Sequence, residues 1–376
     1  MKILLVGKFP PCQGGVASKF YWLFSSLLAR DNGFQFRAIT IAKQPYTTSL
    51  PSNVASMVKV IDAENKTLPW FIPKSDLFVD QIVSCALQLA NTIKFDLIIC
   101  NYLEPYLAAT YIIAKELSLP YQVYPAGSDT HKLLPCPLTS YALEAYLKNA
   151  AQVFLPKEKI ASFLKTNCSV LPNRVVEAQR YVPDPSVFSV STVRKINRIL
   201  LLGKINRYWK LRGIRKLCQF LDANPEIKLK CIIQGAYCDE FKKELRSQLP
   251  CAQLEFQESF LSPTLIPKEI SSSIGVWNYL SEGGIVDFPN LHWETIFSGR
   301  LSFCSNFLLE QPDSSKTLAP FHHLIVNADT SIWPVKTMPN YNSSNLEGNL
   351  KVLKHNMFEQ YIGQHYRMFE GGIGEY

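Results

Sequence analysis

The sequence predicts an α/β protein built from two doubly wound parallel sheets, and three observations carry that prediction. Short apolar runs of strand length alternate with segments whose apolar residues recur at helical spacing, along almost the whole chain. The 376 residues exceed the ~250–300 at which a single core normally divides. One passage rich in proline and serine, Arg180-Tyr-Val-Pro-Asp-Pro-Ser-Val-Phe-Ser-Val-Ser191, breaks the alternation near its middle and reads as a linker.

In chain order, Ile3–Val6 reads as a buried strand closed by Gly7, and Val16, Phe20, Leu23, Phe24, Leu27 and Leu28 follow at helical spacing. Strands are expected at Phe36–Ile41, Val58–Ile61, Phe95–Cys100, Tyr121–Tyr124 and Gln152–Leu155, with helices at Asp76–Ile93, Pro105–Leu117 and Thr139–Lys148. Beyond the linker the rhythm restarts with strands Arg198–Leu202, Lys228–Ile233, Ala252–Phe256, Ile274–Trp277 and Leu301–Cys304. The helices between them are Ile214–Leu221, Asp239–Gln248, Thr264–Ser271 and Asn290–Phe297. The domains are therefore expected over 1–185 and 186–355. The segment 356–376 is helical and carries Phe358, Tyr361, Tyr366 and Phe369, so it can pack back on the first domain or dock locally. Ligands of doubly wound sheets sit beyond the carboxyl ends of the strands, and two such halves facing each other would enclose a cleft.

Composition excludes several classes. Hydrophobic residues at 47% and charged residues at 19% describe a folded chain with ample core, not a disordered one. The net charge of +8 is spread without a dense Lys/Arg block, which argues against nucleic acid and favours phosphorylated substrates or an anionic lipid face. Ten scattered cysteines form no C-x-x-C pair, so buried reduced thiols are expected. The apolar run after Met1 is too short for a signal peptide and no segment approaches the ~20 apolar residues of a membrane span, so the expectation is a cytoplasmic chain.

The most informative stretch is Ser281-Glu-Gly-Gly-Ile-Val-Asp-Phe-Pro-Asn-Leu-His-Trp-Glu-Thr-Ile-Phe-Ser-Gly-Arg300. It sets acidic side chains and a glycine pair before a helix start, with Pro289 suited to the first helical position. First-turn N–H groups and the positive end of the helix dipole can hold a phosphate, and Glu294 falls on the face that sugar hydroxyls would reach. An anion cradle beside hydroxyl acceptors suits a nucleotide-sugar. Gly14-Gly15, between a strand and a helix, lets backbone N–H groups approach a phosphate or sugar, although the spacing is not the G-x-G-x-x-G of a dinucleotide site. Sequence alone leaves a plain tight turn open there. His322-His323 lacks a matching carboxylate or cysteine, so no metal is expected.

Five pieces in order resemble retaining nucleotide-sugar glycosyltransferases of the GT-B fold, family four. They are Lys2-Ile-Leu-Leu-Val with Gly14-Gly-Val-Ala17; Phe95-Asp-Leu-Ile-Ile-Cys-Asn with Ala126-Gly-Ser-Asp129; Val170-Leu-Pro-Asn-Arg-Val175 with Val187-Phe188; Leu201-Leu-Gly-Lys204 leading to Lys210; and Phe288-Pro-Asn-Leu-His-Trp-Glu-Thr-Ile-Phe-Ser-Gly299. The resemblance implies transfer of a hexose from a UDP-, GDP- or ADP-sugar to a glycan or lipid-linked acceptor, without a metal or another cofactor. It implies that Lys204 and Lys210 grip the leaving diphosphate, with Arg207 between them as a substitute. Phe288, Pro289, Asn290, Leu291 and Glu294 match the donor-binding helix, Glu294 being the second acid of an E-x7-E pair. The position eight before it is Val286, so the first acid is Glu282, which precedes Gly283-Gly284, or Asp287, which can instead cap the helix; motif order favours Glu282. Ser128 and Asp129 are expected in the acceptor or sugar cleft. Ala126 stands where many relatives carry a histidine, for which His131 is a candidate replacement. Loops around Gln234-Gly235-Ala236 and Asn278–Leu280 are expected to read the base. Competing expectations are a GT-B-like partner subunit without activity and, less favoured, an epimerase of the same architecture. Association with a membrane face is compatible with the first.

Overall fold

Ile3, Leu4, Leu5 and Val6 are completely buried, as are Leu97, Ile98, Ile99 and Cys100, so these two strands have helices on both faces. They lie side by side in the first of two sheets seen in the computed structural model. The structure describes residues 1–12, 14–31, 33–42, 50–63, 74–127, 129, 133–166, 170–178, 180–189, 197–205, 213–257, 261–279, 289–310, 319–329 and 344–372. Two units divide the chain: Met1–Tyr181 with Gln360–Tyr376, and Val182–Glu359.

The first unit holds β1 (Lys2–Gly7), α1 (Gly15–Arg30), β2 (Gln35–Ala42), α2 (Ser52–Ala55), β3 (Val58–Asp62), α3 (Lys74–Ala90), β4 (Leu97–Asn101) and α4 (Tyr106–Leu117). It continues through β5 (Tyr121–Tyr124), α5 (Ser140–Leu147), β6 (Gln152–Leu155), α6 (Lys157–Thr166) and β7 (Val175–Glu177). All strands are parallel, in the order β3-β2-β1-β4-β5-β6-β7. An aromatic cluster of Phe9, Phe24, Phe34 and Phe36 fills the α1 face, with Phe24 and Phe36 rings 4.9 Å apart. The C-terminal helix, Ser344–Gly371, closes that cluster with Phe369, 6.2 Å edge-on from Phe24. Tyr366 Oη donates to Asp31 Oδ2 (2.9 Å) and Gln122 Nε2 donates to the Met368 carbonyl (2.7 Å), so its last turns are fastened to this unit.

The second unit holds β8 (Arg198–Lys204), α7 (Ile214–Asp222), β9 (Lys228–Gln234), α8 (Cys238–Gln248), β10 (Leu254–Gln257) and α9 (Ile266–Ser271). After these come β11 (Gly275–Trp277), α10 (Asn290–Phe297), β12 (Leu301–Cys304), α11 (Asn306–Leu309) and β13 (Ile325–Asn327). Its parallel order, β10-β9-β8-β11-β12-β13, repeats that of the first six strands of unit one. On α7, Ile214, Leu217, Cys218 and Leu221 are buried at the three- and four-residue spacing of one helical face. They share a core with Leu229, Cys231, Ile233, Trp277, Leu301 and Phe303.

Three differences from the sequence reading stand out. Pro289 is not the first helical residue but the N-cap, with φ −62° and ψ 133°, and the helix begins at Asn290. Its ring has no N–H to offer, so the extended position just outside the helix suits it as well as the first turn does. The stretch 170–178, for which no strand is expected, carries an edge strand, β7, and α6 precedes it. Beyond β12 the second sheet gains β13.

Gly7 fixes how closely β1 and β4 approach at their carboxyl ends. A Cβ there would lie 2.1 Å from Asn101 Oδ1 and 2.4 Å from its carbonyl oxygen. Gly7→Ala is therefore expected to cost roughly 2–3 kcal/mol in urea unfolding. An unchanged midpoint would show that this contact is slack.

Candidate functional site

Both sheets reverse their winding beside their first strand, between β1 and β4 and between β8 and β11. Connections leave that point in opposite directions, so the strand ends there lie in a crevice where ligands of such folds bind. In the second unit Lys204 is the last residue of β8, at this edge, and the next amide, Ile205 N–H, donates to the Gln234 carbonyl (2.7 Å). The chain leaving β11 returns as α10, whose amino end lies on the same carboxyl side of the sheet, because it precedes the turn into β12. Pro289, Asn290 and Leu291 are half-buried, whereas His292 through Ser298 are buried. Glu294 is 2% exposed, in the second turn of α10. Trp293 and Phe297 both pack on Phe321, with rings 6.2 and 6.0 Å away, which clamps the far side of the helix.

Lys210, Arg207, Glu282, Asp287, Phe288, Ser128 and His131 lie outside the described residues, and of Lys204 only the backbone is described. The end of β8 and the start of α10, two parts of the expected donor site, thus lie on the same carboxyl side of the second sheet. Asn278, expected near the base, turns inward instead. Its Nδ2 donates to Ser302 Oγ (2.8 Å) and Thr295 Oγ1 (3.4 Å), because a buried amide needs partners that the sheet interior supplies. Sequence reading missed His292, Ser302 and Cys304, a polar group between α10 and β12. The available signal was two small polar residues at alternate positions of an otherwise apolar strand.

In the first unit Gly14 caps α1 with φ 126° and ψ 170°, a backbone that suits glycine, and Gly15 opens the helix; both are exposed. The carboxyl ends of β1 and β4 are stitched by Asn101. Its Oδ1 accepts from Lys8 N–H (2.6 Å) and its Nδ2 donates to the Lys8 carbonyl (3.1 Å). Lys8 Nζ lies 3.1 Å from the centroid of the Tyr102 ring, and Tyr102 is held at φ 85°, a left-handed backbone rare for a bulky residue.

Asp129, expected in the acceptor or sugar cleft, lies in the loop after β5. It is completely buried, and Oδ2 accepts from Leu103 N–H (3.0 Å) and Ala126 N–H (2.8 Å). The carboxylate braces the loop after β4 against the loop after β5. Oδ1 has no hydrogen-bond partner among the described residues. Burial pushes its pKa up from 3.8 to about 6, opposed by the two N–H donors and the Lys8 charge, with Glu104 adding to the rise.

Among the described residues no group of three or more His, Cys, Asp or Glu is placed to hold a metal ion, and every cysteine is a free thiol. His322 Nδ1 lies 2.9 Å from the Ala319 carbonyl oxygen, a local helix-end contact. No described helix is long and apolar enough to cross a membrane.

Comparison with protein-family models finds no match, and comparison with the sequences of curated proteins finds none either. Solved structures do resemble the chain. HepE of Anabaena, in complex with UDP and glucose, superposes with a TM-score of 0.62 at 14% identity, covering 98% of this chain and 99% of that one. Sucrose-phosphate synthase of Thermosynechococcus elongatus gives 0.62 at 14% identity, over 98% of each chain. UDP-GlcNAc 2-epimerase of Methanocaldococcus jannaschii gives 0.51 at 12% identity, over 94% of this chain and all of that one. The fold is therefore GT-B: two Rossmann-like parallel sheets within one chain.

A buried carboxyl with a raised pKa favours the fold in its protonated form. Its contribution is full below about pH 4 and is lost as pH rises through about 6. Asp129→Asn keeps an oxygen for both N–H donors and carries no charge. Urea unfolding of this variant should gain on the wild type between about pH 4 and 7, by about 3 kcal/mol at the upper end. A stability difference that stays flat across that window would contradict a desolvated carboxylate at this position.

Proposed function

We propose that the protein is a retaining glycosyltransferase that moves a hexose from a nucleoside-diphosphate sugar to a glycan or lipid-linked acceptor. One observation carries this reading. At the switch point of the second sheet, the end of β8 at Lys204 meets the same edge as the amino end of α10, with Glu294 buried one turn further in. A helix start with an acid behind it suits a diphosphate and an adjacent ribose. HepE, one of the structures with this fold, has been solved with UDP-glucose, which supports a donor of that class.

The chemistry follows from what leaves. A departing nucleoside diphosphate gathers negative charge in the transition state, and fixed donors aimed at that charge lower the barrier most. Lys204 and Lys210, with Arg207 available between them, neutralise it from one loop. The first-turn amides of α10, preceded by Phe288 and Pro289, meet it from another side. Glu294 accepts from the ribose hydroxyls, and Glu282 or Asp287 holds the transferring sugar. With lysines in this role no divalent ion is required, and no side chain is assigned as a covalent nucleophile. Leu138 and Tyr141, 93% and 85% exposed on the first unit, and the net charge of +8 favour peripheral contact with an anionic membrane face.

A second reading, a GT-B subunit that binds donor or glycan without transfer, is favoured by Ala126 in place of a histidine and by the inward-turned Asp129. Thermal-shift measurements with UDP, GDP, ADP and their sugars separate the readings in their first step, because binding stabilises by RT ln(1 + [L]/Kd). Transfer or hydrolysis of the sugar that binds removes the inactive reading. In the active case Lys210→Ala and Glu294→Gln each lower turnover by about a hundredfold or more while the protein stays folded. Full turnover in both variants overturns the proposed site.

A further inference from the structure

We infer that His292 is the positioning residue of α10: wedged between that helix and β12, it fixes the rotation of the helix and so the direction of its first-turn amides and of Glu294. This rests on the reading of α10 as the donor-binding helix.

Interior parallel strands are normally apolar throughout. In β12, Leu301 and Phe303 obey this and join the core on the α7 side, where Phe303 packs 5.1 Å from Phe220. Ser302 and Cys304 point to the opposite face, toward α10. There, Ser302 Oγ lies 2.6 Å and Cys304 Sγ 3.2 Å from His292 Nδ1. All three residues are completely or almost completely buried. Burial pushes the His292 ring down to about 3, so it is neutral.

The hydrogen bonds form one network. Asn278 Nδ2, just past β11, spends its two hydrogens on Ser302 Oγ and Thr295 Oγ1. Thr295 Oγ1 donates to the Leu291 carbonyl (2.6 Å). Ser302 Oγ, already accepting from Asn278, keeps a second lone pair, so its 2.6 Å bond to His292 Nδ1 forms with either partner as the donor. Hydrogen bonds thus join the end of β11, two successive turns of α10 and β12. Each of these polar groups costs desolvation that an apolar contact would not. Apolar packing sets the distance of a helix from a sheet but tolerates small rotations, whereas directed bonds of this length do not. A diphosphate held by first-turn amides needs that precision.

The test replaces direction and keeps volume. His292→Leu combined with Ser302→Ala removes both partners together, which is milder than orphaning one. Melting should fall by only a few degrees, because Asn278 Nδ2 loses Ser302 Oγ and keeps Thr295 Oγ1. Amide hydrogen exchange across Asn290–Phe297 should quicken by about tenfold or more, with α7 unchanged. UDP affinity, read by calorimetry, should fall by about tenfold or more. His292→Asn, which keeps an acceptor near Nδ1, should recover most of that affinity. Wild-type exchange and UDP affinity in the paired variant overturn the inference. If the pair does not fold, Ser302→Ala alone is read by the same exchange measurement, with the same outcomes. If the wild type binds no UDP, the donor-site reading falls, and exchange at α10 by itself decides whether His292 orients the helix.

Discussion

In each sheet the chain winds outward on one side of the first strand and then returns to pair on the other, β4 beside β1 and β11 beside β8. Right-handed crossovers make the connections on the two sides depart in opposite directions, and the strand ends between them stay uncovered by either. The rest of the molecule follows from that topological gap. Gly7 and Gly14 are glycines because backbone must run close or turn sharply at the first gap. Lys204 and the start of α10 flank the second.

A polar interior supports each gap, and the two solutions share a plan. An asparagine stands at the end of the returning strand in both: Asn101 closes β4 and Asn278 follows β11. Asn101 is hydrogen-bonded on both sides of its amide to Lys8, tying the returning strand to the first one. Asn278 reaches the other way, to Ser302 in β12 and Thr295 in α10. Asp129 extends the first plan by joining the loops after β4 and β5. Buried polar groups so placed stabilise little on balance, but they restrict the loops that carry ligand contacts to one arrangement.

Much of this architecture was legible from residue pattern. Tyr121–Tyr124, Gln152–Leu155, Asn290–Phe297 and Leu301–Cys304 occupy the same bounds in sequence and structure, because each is a clear run between turn residues. Three-residue strands such as β7 and β13 escape because so few positions show no period. α6 escapes because Lys157, Glu158, Lys159 and Lys165 mask its apolar positions. In the site, Pro289 and Asn290 announced a helix start, although the boundary fell one residue later for proline. The bracing role of Asp129 was not legible, since one of its partners, Leu103, is 26 residues distant and meets it only through the fold. The contact of His292 with Ser302 spans a helix and a turn, and no local pattern encodes it.

The central claim is that a diphosphate is the group this crevice recognises. Calorimetric titration of the full chain with UDP, UMP and uridine, in the presence of a chelator, addresses it directly. UDP should bind about tenfold or more tighter than UMP, uridine should bind weakest, and the chelator should change nothing. Equal affinity for UDP and uridine, or binding of UDP only when a divalent ion is restored, would contradict it.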